Sequence, residues 1–259
     1  MPHPRWRILV TPAAAGAENM ALDDALMSRA RRTDEWTLRV YAWSAPTISL
    51  GRNQSALRHY DRDRIRRRGL AVVRRPTGGR AILHHREITY SVTGPAAAAG
   101  TERESYVRIN RLLVTALNKL GVDARVAPRR ERARLPDATP CFEVPAEGEL
   151  TFEGRKLAGS AQWRSDGALL QHGSVLVGDD QTQLADFALA PAPEIPAPAT
   201  LFEAMGRAPS LDEAANAFED AVRDLEDPAA TALRIDDELR ARASALVVQY
   251  SDDSWTWRR

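Results

Sequence analysis

Hydrophobic and polar positions change period several times along the chain, and each change marks an element. Leu22, Ala25, Leu26 and Ala30 fall at helical spacing with Asp23, Asp24 and Arg29 between them, which predicts a packed surface helix over 16–31. Between Trp36 and Trp43 the period drops to two, as Leu38, Val40 and Ala42 alternate with Thr37, Arg39 and Tyr41. That alternation predicts a strand with one face exposed, and Pro46 then introduces a second short strand over 47–50. The dense charge between His59 and Arg68 predicts a solvated helix closed by Gly69.

Leu70 to Arg74 and Arg80 to His84 read as strands on either side of Pro76-Thr77-Gly78-Gly79, with another strand from Glu87 to Val92. Thr101 and Glu104 match a capping box, and Ile109, Leu112, Leu113, Ala116, Leu117 and Leu120 form the clearest core stripe, ending before Gly121. From Glu149 to Val177, turn signals at Glu153-Gly154 and Ser165-Asp166-Gly167 divide strand-like runs into an antiparallel meander. Prolines 191, 193, 196 and 198 disfavour both helix and sheet pairing and mark a boundary. Beyond it Ser210 can cap a helix running to Leu225, and Ile235 to Leu246 can form another. No repeat of 20 to 50 residues appears. The expected fold is α+β, a mixed, largely antiparallel sheet flanked by helices. Its catalytic domain would span 1–190, with a connector and small helical tail over 191–259 packed on it.

Composition narrows the function classes. The 259 residues, 44% of them hydrophobic, can bury one sizeable core. The 36 basic and 35 acidic residues leave a formal charge of +1, so no overall field draws the chain to nucleic acid or to a membrane. No apolar run reaches the roughly 18 residues that span a bilayer, and the first residues lead directly into a strand-like run. The expected compartment is the cytoplasm, where the single cysteine, Cys141, stays reduced. One cysteine and five histidines offer no structural zinc spacing, and neither a metal nor a cofactor is expected.

Arginine is the default cation: of the 36 basic residues only Lys119 and Lys156 are lysines, leaving 34 arginines. A site that needs a compact amine of adjustable pKa cannot use a guanidinium, so Lys156 stands out.

The loop from Arg74 to Arg80 lacks both the phosphate-loop and the dinucleotide fingerprints. Its adjacent glycines let backbone amides approach a carbonyl or phosphate, and they would equally suit a plain hairpin turn. Cys141 follows Pro140 at a loop-to-strand junction. Free cysteines are often buried and inert, but a displayed thiolate can attack a thioester and later leave. A neighbouring ammonium that lowers a thiol by about 1.5 units stabilises the thiolate by roughly 2 kcal/mol. Lys156, 15 positions further on, would supply it if a returning strand brings the two together. His84, His85 and His172 are candidate bases or hydrogen-bonding structural histidines.

Several of these segments occur in a telling order. Glu18-Asn-Met-Ala-Leu-Asp-Asp24, the run from Arg74 to His84, Glu87-Ile-Thr-Tyr-Ser-Val92, Pro140-Cys-Phe142, Gly154 to Gln162 and Leu170-Gln-His-Gly-Ser174 together resemble the biotin/lipoate protein ligase superfamily. The resemblance is strongest to its cysteine-dependent octanoyltransferases. It implies the ligase catalytic-domain fold, Cys141 as the acylated residue and Lys156 as the amine that lowers the thiol pKa and helps place the carbonyl. It also implies a substrate pocket involving Arg74, Arg75, Gly78, Gly79, Arg80, His84, Gly159, Ser160, Gln171 and His172. The implied donor is octanoyl-acyl carrier protein, and the implied acceptor is a lysine of a lipoyl domain or glycine-cleavage H protein. Acidic partners of that kind would be steered by the Arg58 to Arg75 region.

Related lipoate-protein ligases use ATP and a free acid and need no cysteine, so the thiol separates the two readings. Arg80 stands where ligases commonly carry a third glycine, which fits the transferase branch. His85 stands where they carry an acid. The biotin-ligase Gly-Arg-Gly-Arg signature is absent. From a different class, an arginine-rich nucleic-acid module over 58–80 is opposed by the near-neutral charge.

Overall fold

The computed structural model describes residues 4–127, 148–190 and 197–258. Cys141 lies outside the described residues, as does the proline-rich stretch 191–196.

Strand β1 (Arg5–Val10) pairs in parallel with β2 (Glu35–Tyr41), and helix α1 (Gly16–Ala30) makes the crossover that parallel pairing requires. A small sheet follows, built from β3 (Thr47–Leu50), β4 (Ala71–Arg74) and β5 (Ile82–His84), with the one-and-a-half-turn helix α2 (Arg62–Arg67) between β3 and β4. Strand β3 is central, parallel to β4 and antiparallel to β5. The double-glycine segment is therefore no hairpin. It carries the chain across β3 from one side to the other.

The large sheet continues with β6 (Glu87–Pro95), then helix α3 (Glu102–Lys119), β7 (Arg125–Val126), β8 (Leu150–Phe152), β9 (Arg155–Ser165) and β10 (Ala168–Leu176). At both meander turns the two central residues are left-handed, Glu153 with Gly154 and Asp166 with Gly167, the geometry whose twist matches the flanking strands. Helices α4 (Leu201–Met205) and α5 (Leu211–Leu225), strand β11 (Thr231–Ala232), and helices α6 (Asp237–Ser251) and α7 (Asp253–Thr256) complete the α-helices and strands of the described residues. The sheet order is β11-β1-β2-β6-β10-β9-β8-β7, antiparallel from β2 to β7.

Helices α3 and α5 cover one face of this sheet through Trp36, Leu113, Tyr90 and Phe218, while α1 and α6 form the layer on the other through Met20, Leu26, Leu246 and Tyr250. Asp61, Thr101, Ser210 and Asp236 cap four of the helices as their side-chain oxygens suggest. No helix among the described residues is long and apolar enough to cross a membrane.

Strand β2 departs from its sequence pattern. All seven of its residues are buried, because helices lie over both faces of the sheet there. Its alternating polar residues point into a network rather than into water: Arg39 bonds to Asp23 at 2.8 Å, to Asn19 Oδ1 at 2.7 Å and to Thr11 Oγ1 at 3.0 Å. A buried guanidinium is tolerable only when its charge and its donors are met in this way.

Candidate functional site

Between α1, the middle of the large sheet and the segment 75–84 lies a narrow cleft. Met20 of α1, Trp43, Ile82, Gly159, Ala161 and Gly173 give it a largely apolar wall, and Arg75, Gly79, His84, Ser160, His172 and Ser174 are among its other lining residues.

Arg75 organises the roof. Its guanidinium donates to the carbonyls of Gly78 (2.8 Å), Arg80 (2.7 Å) and Ser49 (3.0 Å), so one planar cation ties two loop carbonyls to one of β3. Gly79 has φ +97°, and a Cβ there would lie 2.7 Å from Arg75 Nη2, so this position requires glycine. Gly51 backs the roof so closely that a Cβ would sit 1.9 Å from the Gly79 carbonyl oxygen.

Two histidines border the cleft. His84 stacks on Trp43, with centroids 3.9 Å apart and planes 12° apart, and its Nδ1 is 2.8 Å from Glu87 Oε1. His172 Nδ1 is 3.2 Å from Asp23 Oδ2 and its Nε2 is 2.6 Å from Thr77 Oγ1. Burial pushes the His172 imidazole below its ordinary 6.5 despite the pull of Asp23, so it is neutral near pH 7. Burial alone would raise the Asp23 carboxyl, but the Arg39 guanidinium, with bonds from His172 and Ser91, brings it below its ordinary 3.8.

A slip in register aims Lys156. Along β8 and β9 the pairing steps from Leu150↔Ala158 to Thr151↔Lys156, leaving Leu157 without a partner across that ladder. Opposed residues share a face and adjacent ones do not. Leu150 and Thr151 face opposite ways, hence so do Ala158 and Lys156, although two residues apart. The bulge turns Lys156 onto the face that carries Gly159, Ala161 and the cleft. Its buried ammonium meets Glu149 Oε1 at 2.6 Å. The segment outside the described residues departs and returns beside this pair: Gly148 N–H donates to Ala127 O, and Glu149 O accepts from Ala127 N–H at 2.7 Å.

Residues 15–232 match the family described as lipoyl protein ligase A/B catalytic domain. The chain belongs to that family. Among its relatives, "Octanoyltransferase LipM" of Symbiobacterium thermophilum is 40% identical, with 98% of each chain covered. The protein of the same name from an Exiguobacterium species is 36% identical over the same shares. A crystal structure of lipoate-protein ligase A bound with ATP superposes with a TM-score of 0.79 at 23% identity, covering 98% of each chain. A bipartite lipoate protein ligase of Thermoplasma acidophilum, studied with its E2 lipoyl domain, gives 0.77 at 21% identity, covering 98% of this chain and 97% of that one. These structural likenesses carry the fold: this chain has the ligase catalytic-domain architecture expected from its motifs.

The lipoyl ligase fold brings Arg75, Gly79, His84, Gly159, Ser160 and His172 together around the cleft. Four other residues expected there are placed elsewhere. Arg74 is fully buried with its guanidinium turned to the carbonyls of Gly51, Gln54, Thr256 and Arg258, so it braces the last helical turn against the roof. Gly78 and Arg80 offer carbonyls to Arg75 without lining the cleft. Gln171 cannot share a face with His172, its neighbour on β10, and bonds instead to Tyr90 and Asn110 on the α3 side. His85 is exposed, with Nδ1 3.6 Å from Asp180. In the basic region, Arg62, Arg64, Arg66 and Arg68 each meet an aspartate, which weakens the expected steering field.

Residues that the sequence did not single out are Trp43, Arg39 and Glu149, while Thr77 and Glu87 stood inside the family motifs without a role of their own. Asp23 likewise lies inside the Glu18–Asp24 family motif, where the sequence assigned it no role.

Proposed function

We propose that this chain is an octanoyltransferase that moves octanoyl from acyl carrier protein to a lysine of a lipoyl domain or glycine-cleavage H protein through a thioester on Cys141. Among the structural facts, the register step that turns Lys156 onto the cleft face carries this reading. The names of the full-length relatives and the apolar cleft support it further.

The acyl chain occupies the cleft against Met20, Ile82 and Trp43, with its thioester carbonyl toward Lys156. Cys141 stands seven residues before Gly148, a tether of at most about 25 Å that permits its thiol to reach the Lys156 ammonium. That ammonium favours the thiolate, which attacks the carbonyl carbon. A carbon–sulfur bond to Cys141 forms as the bond to the carrier sulfur breaks, and the carrier thiolate leaves and takes a proton. Backbone amides near Lys156 and the double-glycine roof stabilise the intermediate oxyanion. The neutral amine of the acceptor lysine then attacks the enzyme thioester. A carbon–nitrogen bond forms, the Cys141 thiolate departs, and the proton lost by the amine passes to solvent.

Intact mass after mixing with octanoyl carrier protein tests the scheme. The wild type gains one octanoyl group that hydroxylamine removes, and Cys141→Ala gains none. An adduct on Cys141→Ala overturns the nucleophile. Modification of the acceptor from free octanoate and magnesium ATP, with none from the carrier thioester, makes the chain a ligase instead.

A further inference from the structure

Thr77, His172 and Asp23 stand in line as hydroxyl, imidazole and carboxylate, with separations of 2.6 Å and 3.2 Å. The proton positions follow from the carboxylate end. Asp23 is fully buried and paired with Arg39, and it also accepts from Ser91 and Tyr41. An ionised carboxylate only accepts, so the imidazole proton sits on Nδ1, facing Asp23. Nε2 is then an acceptor, and the Thr77 hydroxyl donates to it.

This is the order of a nucleophilic triad. Thr77, however, is completely buried and does not border the cleft, so an acyl carbonyl has no access to its oxygen. Thr77 is instead a loop anchor: its carbonyl accepts from Arg52 N–H at 2.8 Å, and two residues further on Gly79 forms the roof of the cleft. A second chain of the same make-up holds the other side of the loop. Arg75 Nη1 donates to Ser49 Oγ at 3.0 Å, Ser49 Oγ lies 2.7 Å from His84 Nε2, and His84 Nδ1 meets Glu87. Because arginine only donates, the Ser49 proton is free to point at His84, and the imidazole proton at Glu87.

We propose that His172, oriented by Asp23, is a positioning residue that fixes the Thr77-Gly78-Gly79 turn over the acyl cleft and acts on transfer through the Thr77 hydroxyl. This rests on the acyl-transfer reading above. The loop so held sets where the thioester lies relative to its attacking group, and misplacement by about 1 Å can cost up to a hundredfold in rate.

The experiment compares Thr77→Val, Thr77→Ser, His172→Phe and the Thr77→Val/His172→Phe double variant in acyl-enzyme formation from octanoyl carrier protein, with circular dichroism confirming the fold of each. Thr77→Val, nearly isosteric and lacking the donor, is expected to slow transfer at saturating donor by about tenfold or more. Thr77→Ser is expected to recover most of the rate, and the double variant to be no slower than His172→Phe alone. A Thr77→Val enzyme as fast as wild type, or losses that multiply in the double variant, overturns the positioning role. So does an acyl group mapped to Thr77. If His172→Phe does not fold, the contrast between valine and serine at position 77 decides alone. A wild type that takes up no acyl group fails the transferase reading instead, a result distinct from any of these.

Discussion

The Lys156 ammonium lies 2.6 Å from the Glu149 carboxylate, and both are buried beside the two points where the cysteine-bearing segment leaves and rejoins the described chain. A buried cation with a carboxylate partner is held in place, whereas a lone one would shed its proton or draw in water. Replacing it by the similarly long but neutral side chain of Lys156→Met removes the charge proposed to favour the thiolate. The rate of Cys141 alkylation by iodoacetamide, followed against pH, is expected to titrate about 1.5 units higher in this variant. Acyl-enzyme formation at pH 7 should fall by about tenfold or more. An unchanged alkylation profile separates Lys156 from the thiol.

Arg39 and Asp23 form a second buried pair, with side chains 1% and 0% exposed. Removing one member strands the other, at a cost of about 3–5 kcal/mol. Arg39→Met is therefore expected to lower the melting temperature by about 10 °C, because each kcal/mol shifts a chain of this size by about 2–4 °C. Thermal unfolding monitored by circular dichroism reads this directly. A shift under 2 °C would mean that solvent reaches Asp23 and compensates.

That pair also explains what the sequence could and could not disclose. Helix α3 was legible because its stripe, capping box and closing glycine all depend on residues near one another in sequence. The meander was legible for the same reason, as both of its turns carry their left-handed residues in the expected pairs. Strand β2 was misjudged because alternation reports polarity and does not say whether polar atoms meet water or each other. Arg39 finds its partners 16 to 28 residues away, on α1 and at Thr11. The 75–81 segment was ambiguous because adjacent glycines suit a hairpin and a crossover alike, and only the pairing of β3 with both β4 and β5 decides. Lys156 stood out through the scarcity of lysine, but its direction depends on a one-residue slip that no local pattern signals.

Acidification should act on His172 before Asp23. The folded state keeps the imidazole neutral at pH values where the unfolded chain, with an ordinary value of 6.5, has already taken a proton. Protons therefore favour unfolding, and stability falls as the pH drops below about 6.5. The lowered carboxyl of Asp23 adds stability that is present above its ordinary 3.8 and lost as the pH falls through its folded value. Urea unfolding of the wild type at pH 7.5 and 5.0 is expected to show lower stability at pH 5.0, with His172→Phe showing a smaller difference. An equal difference in both proteins would mean that another group carries the loss.

The roof of the cleft offers the sharpest steric test, because three nearby glycines face different surroundings. At Gly51 a Cβ would lie 1.9 Å from the Gly79 carbonyl oxygen, a backbone atom that cannot swing aside. At Gly79 the left-handed backbone and the Arg75 guanidinium 2.7 Å away both oppose a side chain. At Gly78 a Cβ meets nothing within 4 Å. Gly51→Ala is therefore expected to push the roof out of place, costing about 1–3 kcal/mol of stability by overpacking. Gly79→Ala should cost a similar amount through backbone strain, of order 1–3 kcal/mol. Gly78→Ala should stay within about 0.5 kcal/mol of the wild type. Denaturant unfolding of the three variants gives the order. If Gly78→Ala proves as damaging as Gly51→Ala, the loop is held by its overall flexibility, and the close backbone approach of Gly51 to Gly79 is not what shapes it.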